Sequence, residues 1–224
     1  HLPDYMIPHR LEWFASLPKN HNGKLDRKAL LALVSQEDVP LVRSTPTEEC
    51  LERLPLGPAQ RWLLRYFDAP YQWAGYTRCL YHQPLDLEIF NQALNCLIER
   101  HWALRTLFVQ KEGQWWQQEI KPEPLNAIFY NGSHLSSEDR NIKIHQQIEK
   151  TGREFRIDCW PLIQVLIIEV SDTCYDINII GHHIIGDLLT NQLLFQELWF
   201  IYSQLLGDRQ DFLQDLPPTV SYAD

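Results

Sequence analysis

The hexapeptide His182-His183-Ile184-Ile185-Gly186-Asp187 carries the residue types best suited to chemistry in this 224-residue chain. A neutral imidazole, with a reference pKa near ~6.5, accepts a proton close to physiological pH and so suits general-base work. Adjacent residues of an extended segment point to opposite sides, so His182 and His183 are predicted not to share a role. The same divergence argues against one metal ion held by His182, His183 and Asp187, and no other His or Cys stands at helpful spacing. Taken alone, a His pair at a strand end is more often structural than catalytic, and the pair by itself leaves that choice open.

The elements that must position these residues are legible on both sides. Upstream, Leu162 to Val170 and Tyr175 to Gly181 read as two apolar strands separated by a Ser-Asp turn. Downstream, Leu194, Leu198, Ile201 and Leu205 recur at helical spacing, with Gly207 as the predicted C-cap and Asp187 placed to cap the start. The histidines therefore sit between a strand and a helix.

Residues 86 to 101 form the clearest amphipathic pattern, with Leu87, Phe90, Leu94, Leu97 and His101 on one stripe and Asp86 as N-cap. Arg100 and Arg105 flank its end. Residues 104 to 120 read as a hairpin turning near Glu112-Gly113, with Trp115 and Trp116 on opposite faces of the returning strand. Ser136 followed by Asp139 resembles a capping box opening a polar helix to about Lys150. Pro58 begins a segment carrying Trp62, Leu63, Leu64, Tyr66 and Phe67, predicted to be a mostly buried helix. The first thirty residues, interrupted by Pro3, Pro8 and Pro18, predict short elements, and residues 31 to 53 a linker running into a short helix at Pro46. The order as a whole predicts an α/β (α+β) two-layer arrangement.

Composition narrows the function. A formal charge of -9 and the absence of any Lys/Arg run argue against nucleic acid as partner, because phosphate binding needs a basic footprint. No stretch approaches the ~20 apolar residues of a membrane span and no signal peptide opens the chain, so a cytoplasmic protein without membrane contact is expected. Five scattered cysteines lack the close pairs of a zinc site and read as reduced packing residues.

Three phrases, in order, resemble a condensation domain of nonribosomal peptide synthetases. Leu56-Gly-Pro-Ala-Gln60-Arg-Trp62 is similar to the family's first motif, Arg100-His101-Trp-Ala-Leu-Arg105-Thr-Leu-Phe108 to the second, and His182-His183-Ile-Ile-Gly-Asp187 to its HHxxxDG signature. Tyr222-Ala-Asp224 matches the point where the first lobe hands over to the second. The resemblance implies a chloramphenicol acetyltransferase-like N-terminal lobe over residues 54-224, needing a C-terminal lobe for the other wall of its tunnel and inactive or nearly so alone. It implies acyl transfer, in which a carrier-bound amine attacks a carrier-bound acyl thioester, with His183 as the base or as the group that orients the amine. His182, Gly186, Asp187, Arg100 and Arg105 would support the motif. Asp187 is expected to accept an ion pair from Arg100, Arg105 or a residue of the second lobe. No cofactor is bound directly; substrates would arrive on phosphopantetheine arms of upstream and downstream carrier domains.

Ahead of that lobe, Leu17-Pro-Lys-Asn-His-Asn-Gly-Lys24-Leu-Asp-Arg-Lys-Ala-Leu30 resembles the closing motif of adenylation domains, with Lys24 at the lysine that swings over the acyl-adenylate. Residues 1-36 are read as an adenylation remnant. Residues 37-53 are read as a linker resembling the start of a carrier domain, although the Gly-Gly-x-Ser site of phosphopantetheine attachment occurs nowhere. The family has glycine after the aspartate, where this chain has Leu188, and that departure favours a non-catalytic scaffold docking carriers or tailoring enzymes as one alternative. The Pro58-Ala-Gln-Arg-Trp62 wording leans toward a second, an epimerization domain.

Overall fold

In a computed structural model of the chain, residues 19, 53–66, 73–209 and 211–219 are described. In chain order they form β1 (Arg53–Pro55), α1 (Pro58–Tyr66), β2 (Ala74–Tyr81), α2 (Leu87–Arg100), β3 (Thr106–Lys111), β4 (Gln114–Glu119), β5 (Ile128–Asn131), α3 (Ser137–Glu154), β6 (Ile163–Ser171), β7 (Cys174–His182) and α4 (Leu188–Leu206). Short 3-10 turns occupy Trp102–Arg105 and Leu213–Asp215.

β6 and β7 are the centre of the molecule because they are buried on both faces, the pattern of strands covered from both sides rather than from one. Fully buried Ile167, Ile177 and Ile179 each contribute roughly 1.5–3 kcal/mol on leaving water. The four-stranded sheet has the order β2-β7-β6-β5, antiparallel except for the parallel β5–β6 pair. A second sheet, in the order β1-β4-β3, is small and antiparallel. Its hairpin turns through Glu112 and Gly113, both with positive φ, where glycine carries no side-chain penalty.

The helices begin where caps were predicted. The Asp86 carboxylate accepts the Ile89 N–H at 3.0 Å, and the Ser136 hydroxyl accepts that of Asp139 at 3.1 Å. α3 runs four residues past Lys150, closing at Phe155. α4 buries Leu194, Leu198 and Ile201 and packs against α2. Gly207 is its C-cap with φ −91°, while the left-handed turn that reverses the chain falls on Asp208, φ 55°.

One expectation is corrected. α1 is not mostly buried: only Leu63 is covered, and Trp62 and Tyr66 are 55% and 63% exposed, since the helix meets the core along a single narrow edge. The edge strand β2 pairs in full register with β7, from Ala74 opposite His182 to Tyr81 opposite Tyr175. Arg53–Pro55 form a strand of the second sheet, at the boundary where the linker is read to end and the lobe to begin. Lys24, the short helix expected at Pro46 and Tyr222–Asp224 lie outside the described residues. Among the described residues, no helix is long and apolar enough to cross a membrane.

Candidate active site

The end of β7 separates the two histidines as strand alternation requires. His182 is 1% exposed; its ring lies edge-on to Phe155, and its Nδ1 accepts the Ile184 N–H at 3.0 Å. Accepting that proton assigns the neutral ring's own hydrogen to Nε2. The backbone of His182 is tied on both sides, its N–H donating to Leu162 at 2.9 Å and its carbonyl accepting from Ile185 at 3.1 Å. His182 thus shapes the turn from beneath.

His183 faces out. Its N–H donates to the Trp73 carbonyl at 2.8 Å, which extends the β2–β7 ladder by one bond, while its ring is exposed and lies edge-on to the Trp73 indole with centroids 6.2 Å apart. Among the described residues neither ring nitrogen has a hydrogen-bond partner. The ring borders a groove of about 350 Å³ whose walls include Gln60, Trp102, Phe108, Gln117 and the turn to Asp187.

Neutral amides hold the turn after His183. The Gln117 side chain, fully buried, donates to the Pro55 carbonyl at 2.7 Å and accepts from Gln60 Nε2 at 3.1 Å. The Gln60 amide reaches the Ile184 carbonyl at 3.4 Å, and its oxygen accepts the Gly57 N–H at 2.8 Å. The first and last motif phrases therefore meet directly, Gln60 to Ile184, and Gln117, a residue of neither, holds the Gln60 amide from behind. Sequence reasoning missed Gln117: in Trp115-Trp116-Gln117-Gln118, two consecutive glutamines on a hairpin strand give no sign that both are buried.

Asp187 caps α4. Its Oδ1 accepts from the Thr190 N–H at 2.9 Å and from the Thr190 hydroxyl at 3.0 Å, and that hydroxyl in turn accepts the Asp187 N–H at 3.2 Å. These bonds, the backbone N–H of Thr190 first, hold the Asp187 carboxyl below the usual carboxylate range. Gly186 is what lets Thr190 fold back, since a methyl at 186 would stand 2.6 Å from Thr190 Cγ2. The expected partnership with Arg100 or Arg105 is not found. Arg100 donates through Nε to Glu197 at 2.9 Å and through its terminal nitrogen to the Pro217 carbonyl; Arg105 pairs with Glu119 at 2.7 Å. Both carboxylates lie nearer those guanidinium groups, and His101 joins the first pair, its Nε2 2.7 Å from Glu197. Sequence proximity in the second motif was misleading: that phrase anchors α2 and the hairpin, not the loop.

Among the described residues, no group of three or more His, Cys, Asp or Glu side chains is placed to hold a metal ion.

Comparison with known proteins decides the family: the condensation domain model matches residues 51–224. The chain belongs to the condensation-domain family. Gramicidin S synthase 2 of Brevibacillus brevis is 31% identical over 136 residues, covering 60% of this chain and 3% of that protein. A linear gramicidin synthase of Brevibacillus parabrevis is 29% identical over 202 residues, 86% of this chain and 2% of the relative. The fold is that of solved domains from nonribosomal peptide synthetases and is chloramphenicol acetyltransferase-like. The epimerization domain from the third module of tyrocidine synthetase B matches with a TM-score of 0.65 at 21% identity, over 80% of this chain and 39% of that one. The starter condensation domain of rhizomide synthetase matches with 0.61 at 18% identity, over 71% and 40%. The chain thus spans only a few per cent of its curated synthetase relatives, and two fifths of these solved domains.

Proposed function

We propose that this chain is the histidine-bearing lobe of a condensation domain that joins a carrier-bound acyl or peptidyl thioester to a carrier-bound amino acid, in the cytoplasm, with His183 as the base. The observation that carries the reading is the placement of one imidazole, exposed and without a hydrogen-bond partner among the described residues, at the edge of a groove, while its neighbour is spent on the turn. In the step proposed, the amine nitrogen attacks the thioester carbon and its proton passes to the His183 imidazole. Collapse of the tetrahedral intermediate breaks the C–S bond, and the imidazolium returns the proton to the departing thiolate. The acyl group leaves on nitrogen, the thiol leaves on the donor carrier's arm, and the base is regenerated.

Residues 1–36, with Lys24, are read as the end of an adenylation domain and residues 37–53 as the linker after it. The test is single-turnover transfer between two loaded carriers in the intact synthetase, wild type against His183→Ala. Loss of amide on the order of 10²–10⁴-fold supports the reading. Unchanged product formation points to a docking scaffold, and deuterium exchange at the α-carbon without amide points to epimerization.

A further inference from the structure

Most bases with a fixed aim are oriented by a hydrogen bond to their second nitrogen. His183 has none among the described residues, and what lies against its ring there acts by shape. The floor beneath the ring is Gly75 of β2. A methyl built there would stand 3.0 Å from Nε2 and 3.1 Å from Cε1 of His183, and the third atom it would meet is Cδ2 of the same ring at 3.9 Å. Gly75 has no positive φ, so its backbone does not demand glycine. Glycine inside a strand weakens it and often marks a place where something must approach closely. Directly across the ladder is a second glycine, Gly181, where a methyl would meet only Asn191 Oδ1 at an ordinary 3.7 Å.

We infer that Gly75 is a positioning residue for the transfer reaction: its bare backbone is the seat on which the His183 imidazole rests, with the Trp73 indole edge beside it. The inference builds on the reading of His183 as the base. Because the ring ends an exposed side chain, it yields to an added methyl by swinging off the seat, which disturbs the fold little. Displacing a reacting group by about 1 Å is enough to cost rate on the order of a hundredfold.

The experiment compares Gly75→Ala and Gly75→Val with His183→Ala and the double variant Gly75→Val/His183→Ala, in the intact synthetase, reading kcat, acceptor KM and melting temperature. Gly207→Ala, where a methyl meets nothing closer than 3.5 Å, serves as control and keeps the wild-type rate. The expected result is a kcat lowered about tenfold by Gly75→Ala and about a hundredfold by Gly75→Val, with acceptor KM unchanged. The double variant should be no slower than His183→Ala alone, since without the ring the seat has nothing to aim. Should Gly75→Val fail to fold, the double variant should still fold, because the side chain then occupies the ring's place. If His183→Ala is inactive while Gly75→Val keeps the wild-type kcat, or if the loss at 75 adds in full to the loss at 183, the seat is overturned and the base reading stands. If His183→Ala keeps the wild-type rate, the base reading falls and the seat with it.

Discussion

The two ends of β7 are fastened by opposite means. Near its start, Asp176 is fully buried, and Arg78 of β2 grips it through Nε at 2.8 Å and 3.0 Å and through a terminal nitrogen as well. At its finish, backbone bonds, two glutamine amides and a helix cap hold the turn that presents His183, and among the described residues no charged side chain touches the ring. A buried carboxylate clasped by a half-exposed guanidinium is suited to fixing a strand in register. The strand pair β2–β7 thus carries its ion pair at the end remote from His183.

That contrast can be broken from either end. The largest loss of stability should follow Arg78→Ala, which leaves the Asp176 carboxylate buried and unpaired: about 3–5 kcal/mol by chemical denaturation, with the transfer rate per folded molecule unchanged. Gln117→Ala should cost about 1–3 kcal/mol, because the Pro55 carbonyl and the Gln60 amide lose their partner. Unlike the first variant, it should also slow transfer, since the Ile184 carbonyl is held through the same chain. Asp187→Ala removes a cap and should lower stability by about 1 kcal/mol.

The pH dependence of that last contribution has a defined sign. The Asp187 carboxyl is depressed in the folded state by the Thr190 bonds, and Asp158 is likewise depressed, by Arg156. Their stabilisation is complete above the ordinary carboxylate pKa of ~3.9 and is lost as pH falls through the lower folded-state values. Wild type minus Asp187→Ala should therefore shrink only under acid conditions and stay constant from about pH 5 to neutrality. The smallest effect is expected at the exposed Glu149–Arg153 pair on α3, where Arg153→Ala should cost no more than about 0.5 kcal/mol.

What was legible in the sequence was local. The runs of β6 and β7, the caps Asp86, Ser136 and Asp187, and the divergence of His182 from His183 each depend on a few neighbouring residues. What was hidden depends on partners far along the chain. β2 drew no reading of its own, and its role appears once Ala74 is set opposite His182. Gln117 matters because it meets Gln60, 57 residues away. Arg100 and Arg105 were two of the partners offered to Asp187, beside a residue of the second lobe, whereas Glu197 and Glu119 take them by proximity in the fold. Glycine at 75 has no local motive at all, and its reason is a ring on the turn that follows β7.

The most direct measurement separates the paired histidines in the intact synthetase. With His183→Ala, single-turnover amide formation should fall at least about a hundredfold while the melting temperature stays that of wild type, and with His182→Ala the melting temperature itself should drop. A His183→Ala enzyme that forms amide at the wild-type rate would contradict the account.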